Sequence, residues 1–279
     1  MKYFLACLAC LLFLAKTAAQ PPTFFQHVQP ILLKNCAPCH RPGGGAPFNL
    51  LTYEDAANRA SFIAHVTGQR FMPPWFAEPD FRSFHNQRIL TAEEIETIRR
   101  WAEAGAPKGK KKKGLAVEPG HVLTDFPPPD LVVPMQKPFA IPGDNTEQFR
   151  IFILPTGNEE ERFVSGIGFQ PGNLELAHHA RIMLDTTQLL RADDGTAAGD
   201  SNTQFTRLNV QLADYFWQGW VPGNVAHFYP EGVAKRLPKN TDFVLNMHYS
   251  PSPVPAADLS KVNIWLAKKP PERLVKTFI

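Results

Sequence analysis

Cysteine is scarce: the 279 residues include 4, and two of these, Cys7 and Cys10, lie in an N-terminal segment that reads as removable. Only Cys36 and Cys39 then remain, which excludes both a disulfide framework and a four-thiolate metal site. Long apolar runs are missing too, since the stretch from Tyr3 to Ala15 is shorter than the roughly 20 residues a membrane-spanning helix needs. Charge of one sign does not accumulate. The 29 Lys and Arg against 26 Asp and Glu give a net +3, and Lys2 and Lys16 belong to the leading segment, so bulk attraction to nucleic acid or to a membrane surface is excluded. The chain has no internal repeat, which excludes a repeat array.

What is present begins with an export signal. Lys2, the apolar stretch and the small residues Thr17-Ala18-Ala19 ahead of Gln20 read as a signal peptide over 1–19, with an anchor through Cys10 as the alternative. The mature chain is expected in the periplasm or outside the cell, with no transmembrane segment once the signal is removed.

Cys36-Ala37-Pro38-Cys39-His40 is the C-x-x-C-H attachment signature of a c-type haem. Thiols at this spacing lie on one helical turn and can each form a thioether to a haem vinyl group, while His40 falls under the iron as proximal ligand. A dithiol redox pair and half of a zinc site are the competing readings; an exported chain whose only thiols are these two favours haem. The distal iron position needs a soft or imidazole ligand. Met72 is the one methionine of this region after Met1, and Pro73-Pro74 behind it make a rigid loop. His27, His65 and His85 compete with it.

The pattern of apolar residues changes along the chain. Phe24, Phe25, Val28, Ile31 and Leu32 recur at helical spacing; Thr52 with Asp55 and Thr91 with Glu94 mark the starts of two further helices, the second carrying Ile95, Ile98 and Trp101. Lys108, Lys110 to Lys113 and Pro127-Pro128-Pro129 read as a connector over 108–130, either a solvated linker or a docking patch for an acidic redox partner. Beyond it, Phe149–Leu154, Phe163–Ile167, Leu176–Leu184, Phe243–Tyr249 and Val262–Ala267 alternate as strands do. The expected fold class is multidomain: a small all-α cytochrome c domain over 20–107, then an all-β antiparallel sandwich, jelly-roll-like, over 131–279.

Two histidine-bearing strands stand out in the second domain, with His178-His179 in one and His248 in the other. Three imidazoles suit copper or zinc. Neighbouring residues of a regular strand point to opposite faces, so joint ligation by His178 and His179 demands a bulge or a sharp twist.

The region 21–108, with Arg41-Pro42-Gly43-Gly44-Gly45-Ala46-Pro47-Phe48 after the haem motif, resembles the short cytochrome c domains of multidomain bacterial proteins. The His-His pair, the segment Tyr229 to Lys239 and the strand ending in His248 resemble the N-terminal half of the copper type II ascorbate-dependent monooxygenases, the family of peptidylglycine α-hydroxylating monooxygenase and dopamine β-monooxygenase. The resemblance implies that His178, His179 and His248 bind an electron-transfer copper, while His227 and His121 match no ligand position. It also implies that a second copper domain, normally following, is not part of this sequence, so that the chain is expected to be a piece of the enzyme.

The cofactors implied are haem c and copper, held respectively by Cys36, Cys39, His40 and Met72 and by His178, His179 and His248. The function expected is electron transfer from haem to copper in support of monooxygenation of an unidentified small-molecule or peptide substrate, with a redox partner protein or small reductant and no nucleic acid. No general acid or base is nominated. The alternatives are a c-type cytochrome electron carrier with a non-catalytic β-sandwich binding module, and a zinc site with an open position for hydrolysis.

Overall fold

The computed structural model describes residues 20–42, 44–75, 77–78, 81–84, 87–111, 126–207 and 216–277. The expectations for the signal segment, His85, His121, Lys112 and Lys113 lie outside them. The described residues divide into two compact units, the first within 1–36 and 50–116, the second within 37–49 and 117–279.

In the first unit a π-helical turn, Phe24–Val28, runs into α1 (Gln29–Asn35), with Pro30 in the first turn, where its missing N–H leaves no bond unmade. A capping box opens α2 (Tyr53–Ala57): the Asp55 N–H donates to the Thr52 hydroxyl, and the Thr52 N–H donates to the Asp55 carboxylate. A turn at Asn58 and Arg59 separates it from α3 (Ala60–Gly68), so one expected helix is two. A second capping box, Thr91 with Glu94, opens α4 (Ala92–Glu103), which buries Ile98 and Trp101. The Trp101 indole donates to the Pro107 carbonyl at 3.1 Å, and the Tyr53 hydroxyl donates to that of Ala106 at 3.0 Å.

This architecture corrects the expected fold class. The chain is mostly β, 28% strand against 20% helix, and no clear all-α cytochrome domain is formed. Only α4 reaches 12 residues; the other helical pieces of this unit have 5, 7, 5 and 9. Between α3 and α4 the described residues form no regular element. Pro73 and Pro74 lack the N–H a helix would use, and the turn at Asn58 and Arg59 divides the capped segment, so the local helix signals are real but too short to build an all-helical body.

The second unit contains β1 (Leu131–Pro134), β2 (Phe139–Ile141), β3 (Gln148–Pro155), β4 (Arg162–Gln170), β5 (Ala177–Asp185), β6 (Phe216–Trp220), β7 (His227–Phe228), β8 (Val233–Leu237), β9 (Asp242–Tyr249), β10 (Ala256–Asp258), β11 (Lys261–Leu266) and β12 (Arg273–Leu274). A six-stranded sheet runs β1-β11-β4-β8-β12, with β7 on β4; a four-stranded sheet runs β3-β9-β5-β6; β10 pairs with β2. Pairing is antiparallel except between β8 and β12.

The two larger sheets share one apolar core. Val164, Ile167, Val262 and Ile264 of one meet Phe152, Ile182, Leu245 and Met247 of the other. In β9 every residue is buried, yet the two faces differ: Phe243, Leu245, Met247 and Tyr249 enter the shared core, whereas Val244 joins Ile151, Ile153, Met183, Leu190 and Phe205 on the outer face. By the same alternation Asn246 and His248 point to that outer face. No described helix is long and apolar enough to cross a membrane.

Candidate metal centre

His248 is the next-to-last residue of β9, with neighbours on both sides: its Cα partners are Phe149 of β3 and His179 of β5. The Phe149 and His248 rings lie 4.1 Å apart between centroids and 9° from parallel. This stack fixes the plane of the imidazole, which is 7% exposed.

In β5, Ala180, Ile182 and Leu184 face the shared core, so His179 and Arg181 face outward. Strict alternation would then turn His178 inward. Instead the register against β9 shifts between Ala177 and His179, a bulge that returns Ala177 to the core and leaves His178 on the outer side with His179. The bulge meets the geometric demand set by two adjacent ligands.

The three imidazoles converge, with one candidate ligand nitrogen from each within 4.8 Å of the others. The Nδ1 atoms of His178 and His179 are 3.2 Å apart, as are those of His248 and His179. Ligands about 2.0–2.1 Å from a tetrahedral ion stand roughly 3.3 Å from one another, so these separations match two edges of such a site. His178 is exposed, His179 half-buried and His248 buried, which leaves one side of the cluster open to solvent.

The electrostatics favour the neutral forms of His179 and His248. Burial, then repulsion from His248, His178 and Arg181, holds His179 below the usual imidazole range. His248 is lowered by burial and by His178, against the opposing pull of Glu147. The Glu147 carboxylate is 3.4 Å from His248 Nε2, a buried nitrogen outside hydrogen-bond geometry to any described group. Neither Glu147 nor Phe149 was foreseen as part of the site; each is adjacent to His248 only through the β3–β9 register.

The C-x-x-C-H run has its own local architecture. The Cys36 N–H donates to the Leu32 carbonyl at 2.8 Å, at the end of α1, and no disulfide joins Cys36 to Cys39. The Cys39 thiol lies 3.4 Å from the Pro222 carbonyl, and Gly45 is so close to the same proline that a Cβ there would come within 2.4 Å of its side chain. His40 Nδ1 is 2.9 Å from the Phe48 carbonyl, an acceptor, so Nδ1 carries the proton and Nε2 the lone pair. Burial lowers the His40 pKa, with the Phe48 bond opposing. This tautomer leaves Nε2 as the nitrogen that could hold a metal.

Met72 is 41% exposed and lines, with Thr67, Arg70 and Trp75, a cavity of about 40 Å³. Of its competitors, His27 is exposed and accepts the Thr23 N–H on Nδ1 at 3.0 Å, and His65 is exposed on α3. His227 lies in β7 beside Tyr229, outside the imidazole cluster.

No family model and no curated protein matches this chain.

Proposed function

We propose that this chain is an exported redox protein that binds haem c through Cys36, Cys39 and His40, with Met72 as distal ligand, and copper through His178, His179 and His248. Its role is to pass electrons from haem to copper in support of monooxygenation of an organic substrate. The observation that carries the reading is the convergence of His178, His179 and His248 at a β-bulge, a donor set that an N-rich site offers most tightly to Cu(II) among first-row divalent ions. The His40 tautomer supports the haem half. The copper and the haem would each supply a one-electron store when bound. The protein's own groups favour neutral His179 and His248, keep His248 in a fixed plane and leave the exposed side of His178 open.

The test is metal analysis with optical and electron paramagnetic resonance spectra on protein exported through a haem-loading periplasm and supplied with copper. One haem and one type II copper with nitrogen hyperfine structure per chain is the expected result. Haem without copper would leave a cytochrome carrier with a binding module, zinc in preference to copper would favour a hydrolytic site, and a chain without haem would end the redox reading.

A further inference from the structure

The geometry points to Glu147 as the positioning residue that fixes the tautomer of His248, so that its Nδ1 lone pair faces His179 and the centre of the imidazole cluster. The inference rests on the metal reading of that cluster and adds a residue to it.

An imidazole that ligates through Nδ1 must carry its proton on Nε2, and a buried N–H without an acceptor costs about 1–3 kcal/mol. His248 presents Nδ1 to His179 at 3.2 Å, while Nε2 is buried without a hydrogen-bond partner among the described groups. Among the described groups the acceptor beside Nε2 is Glu147 Oε1 at 3.4 Å. A small closing movement of this exposed side chain makes the bond. Phe149, two residues beyond Glu147, stacks on the ring and prevents the rotation that would exchange the two nitrogens. Glu147 and Phe149 thus act from one end of β3 on opposite features of the same ring, one on its proton and the other on its plane. His179, the facing partner, has no such acceptor among the described groups, and its Nδ1 lies 3.2 Å from those of His178 and His248. The site therefore needs one histidine with an externally imposed tautomer, and His248 is the one placed to have it.

Removing a carboxylate that orients a metal-bound histidine lowers metal affinity about 10–100-fold. The experiment compares Glu147→Ala, which has no acceptor, with Glu147→Gln, which keeps a carbonyl oxygen. The first readout is the side-chain ¹⁵N resonances of His248 in metal-free protein, which report the tautomer directly. The second is Cu(II) affinity by chelator competition. Wild type should carry the proton on Nε2; Glu147→Ala should shift population to the Nδ1–H form and bind copper about 10–100-fold more weakly; Glu147→Gln should recover part of both; and unfolding temperature should stay put, because Glu147 is exposed. A wild-type His248 protonated on Nδ1, or a Glu147→Ala protein with unchanged tautomer and affinity, would overturn the assignment. If wild type binds no copper, the proposed function fails, and the tautomer comparison still decides the role of Glu147.

Discussion

His179 and His248 are Cα partners across β5 and β9, and their Nδ1 atoms are 3.2 Å apart. Two lone pairs at that distance repel, so the pair needs a proton or a cation between them. A third Nδ1, from His178, is at the same distance from His179, so either the tautomers place a proton in each contact or one ion meets all three nitrogens.

Metal should therefore stabilise the second unit. At a free copper concentration 100 times Kd, unfolding should be displaced by about 2.7 kcal/mol. His248→Ala, which removes the buried ligand, should abolish the displacement while leaving any haem spectrum intact. His178→Ala, at the exposed position, should reduce it. Thermal melts with and without copper measure both, and a His248→Ala protein with the full displacement would remove His248 from the site.

Gly44 is a sensitive point of the segment that follows the C-x-x-C-H run. A Cβ there would come within 2.1 Å of the Cys39 carbonyl and 3.0 Å of that of Arg41. Gly44→Ala should push Cys39 and His40 out of register with Phe48 and reduce haem content per chain several-fold. Gly68→Ala, where an added Cβ meets nothing within 4 Å, is the control. Soret absorbance per protein reads the outcome, and equal haem loading in the two variants would contradict the prediction.

Lys235 makes stability depend on alkaline pH. Burial lowers its pKa from 10.5 to about 8. The ammonium lies 2.9 Å from the Phe216 carbonyl and 3.0 Å from the Thr277 hydroxyl. Between pH 8 and 10.5 the unfolded chain holds a proton at this site that the folded chain has released, so stability rises with pH across that window. Below pH 8 both states are charged and the contribution is flat. Lys235→Met should flatten the rise, as read from denaturant midpoints measured across the window; an identical slope in the variant would rule Lys235 out as its source.

Asp242 is fully buried at the start of β9 and is paired by Arg191, whose Nε lies 2.6 Å from Oδ2 and whose second contact to Oδ1 is 2.9 Å. Arg191→Ala would strand the carboxylate. Breaking a buried pair is strongly destabilising, and because Arg191 is 47% exposed, solvent screening should keep the loss below that of a fully buried pair. Chemical denaturation measures it. Replacing both residues with apolar ones should recover much of the loss.

Much of the local structure was legible. The capping boxes at Thr52 and Thr91 announced α2 and α4, because a side-chain oxygen satisfying an orphan N–H is a property of four adjacent residues. The period-2 patterns announced β3, β4, β5, β9 and β11 within a few residues. Short strands such as β2, β7 and β10 carry too little periodicity to be read, and they exist only because a partner strand completes their hydrogen bonds. The all-α expectation for the N-terminal region failed for a related reason: helix signals are local, whereas how far helices extend and pack is not.

At the candidate metal centre the sequence by itself supplied two adjacent histidines and a third in another strand, and elsewhere it supplied the C-x-x-C-H run, each a pattern of neighbours along the chain. That His178 and His179 share a face was decided by a bulge against β9, and that Phe149 and Glu147 attend His248 by the register of β3. Bulge and register are set by which core face each strand must bury, a cooperative choice made between strands far apart in sequence. Only the tertiary structure can make it.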